Sequence, residues 1–191
     1  MSEIGRRTAA EAARAIADAL SAAGHDYAIG GALALGVAGV PRGTKDVDVN
    51  LFVEPKELSS AIETLRSLGI QIHPEHAIAR AERDGMFVGT WDAMRIDVFV
   101  PSIPFSHEAQ RTATTITVDG WTGRFLSPEA IALFKLLFHR IKDRADLERL
   151  VAVRGRDLDH TYVRRWIVEM MGEDDERVSL WDDLVARFGP L

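Results

Sequence analysis

The chain has 191 residues, 47% of them hydrophobic, which is enough for one cored domain or for a domain with a small helical lobe. It has no cysteine, so disulfides and thiolate metal sites are excluded. The formal charge of −6 argues against indiscriminate binding to nucleic acid.

No apolar run approaches membrane-spanning length, and Met1-Ser2-Glu3-Ile4-Gly5-Arg6-Arg7 lacks the apolar stretch of a signal peptide. A cytoplasmic protein with no membrane partner is the expectation. Charge is unevenly spread. Residues 135–165 hold nine Lys/Arg against five acids, net +4, and residues 166–191 hold two against seven, net −5. The basic stretch could meet RNA, or could be a pair of solvated helices with internal ion pairs.

In chain order, Ala9, Ala12, Ala13, Ile16 and Leu20 recur at helical spacing, so a helix is predicted over 6–23, stopped by Gly24. Tyr27–Gly30 reads as a core strand and Ala32–Val37 as a short helix. Between them lies Gly30-Gly31, a pair that lets backbone approach another group closely. A helix opening there would offer free N–H groups to a phosphate. The loop Val40-Pro41-Arg42-Gly43-Thr44-Lys45 then leads into Asp46-Val47-Asp48-Val49-Asn50-Leu51-Phe52-Val53. Here polar and apolar residues alternate, so Asp46, Asp48 and Asn50 share one strand face and Val47, Val49 and Leu51 the other. Two carboxylates side by side repel unless a cation sits between them, and a hard divalent ion such as Mg²⁺ suits oxygen ligands. Arg42 and Lys45 flank this strand and could pair with its acids or reach a triphosphate.

Pro55–Leu68 reads as a helix and Ile70-Gln71-Ile72 as a short strand. His73 and His76 have Pro74 between them and no third ligand nearby, so a loop is expected in place of zinc. Asp84-Gly85 is a hairpin signal between two strands. Phe87–Trp91 pairs with Met94–Val100 through a turn at Asp92-Ala93. In the second of these strands Asp97 faces away from Ile96, Val98 and Val100. An acid in so apolar a strand is costly without a partner, and the functional reading sets it beside Asp46 and Asp48 as a metal ligand or general base. Pro101–Gln110 reads as a loop. Thr112–Val118 and Trp121–Leu126, joined by Asp119-Gly120, form a hairpin. Ser127-Pro128-Glu129 is a helix start, with the helix running to Ile141 and Lys135 among its apolar residues. Helices follow over Ala145–Val153, Thr161–Met171 with Asp159 as cap, and on to Phe188. The composition shift near Leu126 divides an α/β part, 1–126, from a helical part, 127–191.

Gly-Gly, a short gap, Asp-x-Asp on a strand and a lone Asp on a later strand resemble the nucleotidyltransferase superfamily of DNA polymerase β. Leu126-Ser127-Pro128-Glu129-Ala130-Ile131-Ala132-Leu133-Phe134-Lys135 and Arg140-Ile141-Lys142-Asp143-Arg144-Ala145-Asp146-Leu147 are similar to AbiEii/MenT-type nucleotidyltransferases, known as toxins of toxin–antitoxin and phage-defence systems. The resemblance implies an α/β (α+β) nucleotidyltransferase core with a small mixed sheet and a C-terminal helical lobe. It implies Mg²⁺ (or Mn²⁺) on Asp46, Asp48 and Asp97, and a nucleoside triphosphate such as ATP held by Gly30, Gly31, Arg42, Lys45, Lys135 and Lys142, with Asp146 included. Many members carry Gly-Ser where this chain has Gly30-Gly31, so a hydroxyl is missing. The implied activity is transfer of a nucleotide to RNA, tRNA or protein, with an antitoxin as partner. The rivals are an aminoglycoside or lincosamide nucleotidyltransferase and a catalytically silent binding protein of this fold.

Overall fold

The structure is a computed structural model that describes residues 7–189. The stretch 1–6, read above for its lack of an apolar run and as the start of a helix, lies outside the described residues. The first helix, α1 (Ala9–Ala22), begins at a capping box in which Thr8 and Glu11 satisfy each other's backbone N–H groups. Its alanine stripe, Ile16 and Leu20 are fully or nearly buried.

Six strands form one mixed sheet: β1 (Tyr27–Ile29), β2 (Asp46–Leu51), β3 (Met86–Trp91), β4 (Met94–Phe99), β5 (Thr114–Val118) and β6 (Trp121–Phe125), in the order β3-β4-β2-β1-β6-β5. The β4–β2 and β1–β6 pairs are parallel and the others antiparallel. Val47, Val49 and Leu51 are fully buried and α1 packs over this face, which leaves the opposite face of β2 to its polar residues. The β5–β6 hairpin turns at Asp119 and Gly120, both at positive φ (49° and 76°), the backbone a two-residue hairpin turn of this kind requires.

The other helices among the described residues are α2 (Gly31–Val37), α3 (Leu58–Ser67), α4 (Pro74–Asp84), α5 (Phe105–Thr112), α6 (Pro128–Phe138), α7 (Ile141–Arg154), α8 (His160–Met171) and α9 (Glu176–Phe188). The helix expected over Pro55–Leu68 is α3 preceded by a 3-10 turn, Pro55–Glu57. Several other expectations need correction. Residues 70–72 contribute only a single bridge, Gln71 to Thr90. His73 and His76 do not lie in a loop: His73 caps α4 and His76 lies within it, because Pro74 occupies the first helical turn, where its missing N–H costs nothing. Asp84-Gly85 is no hairpin. Gly85 (φ +70°) ends α4 in the left-handed conformation and donates to the Ala81 carbonyl, and a helix stop uses the same residue pair as a turn. The segment 101–110 is not all loop, since α5 starts directly after Pro104. α6 stops at Phe138, where His139 (φ +51°) turns the chain, and Ile141 is exposed at the start of α7.

Candidate active site

β2 and β4 run side by side in parallel, with Asp46 opposite Arg95, Asp48 opposite Asp97 and Asn50 opposite Phe99. Side-chain alternation puts all six on one face of the sheet. Asp46, Asp48 and Asp97 therefore line one cavity of about 190 Å³, together with Gly31, Arg42, Arg95, Lys135, Arg140 and Lys142. Burial pushes the Asp48 carboxyl above its ordinary range, and repulsion from Asp97 and Asp46 adds to it. Lys142 and Lys135 pull partly the other way.

The double-glycine bend abuts this carboxylate. Gly30 N–H donates to the Asp48 carbonyl at 2.9 Å. Gly31 has φ +53°, and a Cβ there would fall 1.8 Å from Asp48 Oδ2. A Cβ on Gly30 would fall 2.7 Å from Asn50 Nδ2. A serine at position 31 has no room in this backbone, so Gly31 is required there, whereas at Gly30 the conflict is only with the tip of the Asn50 side chain.

Asp97 is not idle. Arg95, two residues earlier on the same strand face, donates from Nε to both carboxylate oxygens at 2.8 and 3.0 Å. A second set of charges lies where the loop before β2 meets α6 and α7. Arg42 donates from Nε and Nη2 to Asp146 at 3.1 and 3.2 Å. Lys135 Nζ lies 2.6 Å from Asp146 Oδ2 and 3.5 Å from Asp143 Oδ1. Arg140 Nε donates to Asp143 at 2.6 Å. Burial alone would raise the Asp143 carboxyl, yet hydrogen bonds from Arg140 and the charges of Lys135 and Arg140 hold it below the usual range. Lys135, Asp143 and Asp146 are buried, and a charge so placed persists only when paired.

Of the residues expected at the site, Asp46, Asp48, Asp97, Gly31, Arg42, Lys135 and Lys142 line the cavity and Gly30 adjoins it. Two are placed elsewhere. Lys45 is exposed and lines a separate depression beside Arg7, Thr8 and Trp91. It neighbours Asp46 in sequence, but the strand alternation turns it away. Asp146, expected among the nucleotide contacts, is buried beneath Arg42 and Lys135 and is absent from the cavity wall. An anion suits that role better than contact with a polyphosphate. Arg95 and Arg140 were not singled out from the sequence, whereas Asp143, with Asp146, reads there as a capping or pairing residue at the helix junction and does cap α7 and pair with Arg140. Arg95 could have been found from its two-residue spacing to Asp97, but Arg140 had no local signal beyond the basic stretch.

Among the described residues, no three acidic or histidine side chains stand close enough to hold a metal ion as they are. The donor chemistry nonetheless suits Mg²⁺ or Mn²⁺: hard carboxylate oxygens share one cleft, and crowding raises the Asp48 carboxyl in a way that a cation would relieve.

No protein-family model and no curated protein matches the chain. Solved structures do. The chain is similar to the antibiotic-resistance factor ANT(2″)-Ia in solution, with 16% identity, coverage of 93% of this chain and 91% of that one, and a TM-score of 0.56. It is similar to the lincosamide antibiotic adenylyltransferase LnuA with lincomycin bound, with 16% identity, coverage of 78% of this chain and 99% of that one, and a TM-score of 0.53. At such identity the likeness is one of fold. With its six-stranded mixed sheet and flanking helices, the chain has the α/β nucleotidyltransferase fold.

Proposed function

We propose that the protein is a metal-dependent nucleotidyltransferase that moves a nucleoside monophosphate from a nucleoside triphosphate, ATP in the first instance, to a hydroxyl of a small molecule. The observation that carries the reading is the in-register placement of Asp48 and Asp97 on adjacent parallel strands, with Asp46 on the same face and the Gly30-Gly31 bend against Asp48.

In this reading residues 1–126 supply the carboxylates and Arg42, and residues 127–191 supply the other cations. Asp46, Asp48 and Asp97 would hold Mg²⁺ or Mn²⁺, which when bound would supply charge neutralisation at the attacking and leaving oxygens. Arg42, Lys135, Arg140 and Lys142 face the triphosphate and offset its charge. An Asp97 carboxylate oxygen takes the proton from the acceptor hydroxyl. The bond from acceptor oxygen to α-phosphorus forms, the bond from α-phosphorus to the bridging oxygen breaks, and pyrophosphate departs with the electron pair.

Two observations favour a small acceptor over RNA. Both similar structures act in antibiotic resistance or on an antibiotic by their names, and both match over most of their length. The basic stretch that spoke for RNA is also partly paired: four of its nine cations, Lys135, Arg140, Arg144 and Arg164, engage acids. The AbiEii/MenT-type alternative, with RNA or protein as acceptor and an antitoxin as partner, makes a different prediction in one assay. The protein is incubated with α-labelled ATP, Mg²⁺, lincomycin and total cell RNA. Label on the drug is the expected result, whereas label on RNA establishes the alternative. Asp48→Ala should fold and lose transfer by about 10²–10³-fold or more, and full activity in that variant would end the assignment.

A further inference from the structure

Past Asp97 the cleft changes character. One step along the same face, the pair Asp48 and Asp97 gives way to Asn50 and Phe99, and Met86 stands opposite Phe99 on β3. Here the cleft continues into a second cavity of about 340 Å³, which shares Met86, Phe99, Phe134 and Phe138 with the first. The Phe99 and Phe138 rings lie 5.7 Å apart and tilted. Phe138 is 44% exposed and Met171, on the same wall, 39%. The one charged side chain on this wall among the described residues is Asp84, and Arg80 and Arg83 hold it at 2.6 and 2.8 Å. Arg42, Lys135, Arg140 and Lys142 line the first cavity, and none of them lines the second.

The cleft thus changes from charged to aromatic along β2 and β4: cations and carboxylates line the first cavity, aromatic and thioether groups the second, and Arg140, its guanidinium 4.8 Å over the Phe138 ring, stands at the boundary. A triphosphate belongs at the cationic end. We propose that the apolar end is the acceptor subsite, and that it takes a hydroxyl-bearing small molecule with an apolar body and no more than one positive charge. This rests on the nucleotidyltransferase reading above. A polyamine would lose water from several ammonium groups and meet no unpaired carboxylate, a costly exchange. One ammonium can lie over a phenyl face, but several cannot. The phosphates of an RNA acceptor would meet there only Arg140, which lies over the Phe138 ring at the boundary and is already held by Asp143. The volume falls in the lower part of the range for small-molecule pockets.

The test uses the full chain with Mg²⁺ and an equal mixture of the four α-labelled nucleoside triphosphates. Three acceptor arms are compared: neutral or monocationic glycosides carrying an alkyl or aryl group, the polyamino sugar neamine, and total tRNA. Mg·ATP binding is measured separately by calorimetry. The expected result is label in the glycoside arm alone. Met171→Glu, an exposed substitution at the cavity wall, should then raise the acceptor KM about tenfold while the Mg·ATP Kd stays within twofold. Label on neamine or tRNA overturns the proposal, as does absence of label in every arm while Mg·ATP still binds. An equal loss of Mg·ATP affinity in Met171→Glu would assign the cavity to the nucleotide base and overturn it as well. Failure of Mg·ATP to bind the parent chain, with no label in any arm, overturns the nucleotidyltransferase reading itself, and the acceptor subsite falls with it.

Discussion

Asp48 sits where three negative charges converge, and its raised carboxyl pKa makes a sign prediction. The stability that protonated Asp48 provides is fully present below the unfolded value near 3.8 and is lost as pH rises through the higher folded value. Asp48→Asn should therefore raise Tm at pH 7–8 in metal-free buffer, with the gain shrinking to nothing toward pH 4. A lower Tm at pH 8 would contradict the crowding described here. Arg95 pairs with Asp97, but it is 56% exposed, so the pair is worth only about 0.2–1 kcal/mol. Arg95→Gln should bind Mn²⁺ roughly two- to fivefold more tightly by electron paramagnetic resonance titration, and unchanged affinity would show that the pair does not compete. At position 31, serine would bring its Cβ onto Asp48 and force a left-handed backbone on a residue with a side chain. Gly31→Ser should cost about 1–3 kcal/mol in urea unfolding, although the resembled family often carries serine there.

At the scale of elements, the loop before β2, α6 and α7 are joined by buried charge. Lys135 lies between Asp143 and Asp146, and Arg42 reaches Asp146 across 104 positions of sequence. Lys135→Met leaves both acids short of a cation and should destabilise the protein by about 3 kcal/mol. Adding Asp146→Asn should recover part of that loss, with a coupling of about 0.5–3 kcal/mol in the double-mutant cycle. Strict additivity would mean that the two residues act independently. Element boundaries were legible where the signal is local. Ser127 caps α6 through Ala130 N–H at 3.2 Å, and the Asp119-Gly120 turn stands where its residue types place it. α4 and α5 were misread because proline and Asp-Gly each serve both helix ends and loops. Burial of Ala77, Ala81, Phe105 and Ala109 in the core resolves that ambiguity, and burial is not written in a short window of sequence.

For the whole molecule, the reading requires metal and nucleotide to bind together in one cleft. Mg·ATP at 100 times its Kd should add about 2.7 kcal/mol of stability, a rise of roughly 5–10 °C in Tm, and ATP with EDTA should give far less. Equal shifts with and without metal would detach the nucleotide site from the carboxylates. Among the described residues no helix is long and apolar enough to cross a membrane. Local periodicity was enough to identify the acid-bearing faces of β2 and β4, the core faces behind them and the glycine bend, because a strand's alternation and a cap's chemistry depend on near neighbours alone. The place of β1 between β2 and β6, the register that sets Asp48 opposite Asp97, the engagement of Arg95, and the sinking of Asp146 beneath Arg42 and Lys135 were decided by the packed chain. Those partners are brought together by burial and charge pairing across long stretches of sequence, and no short-range pattern records them.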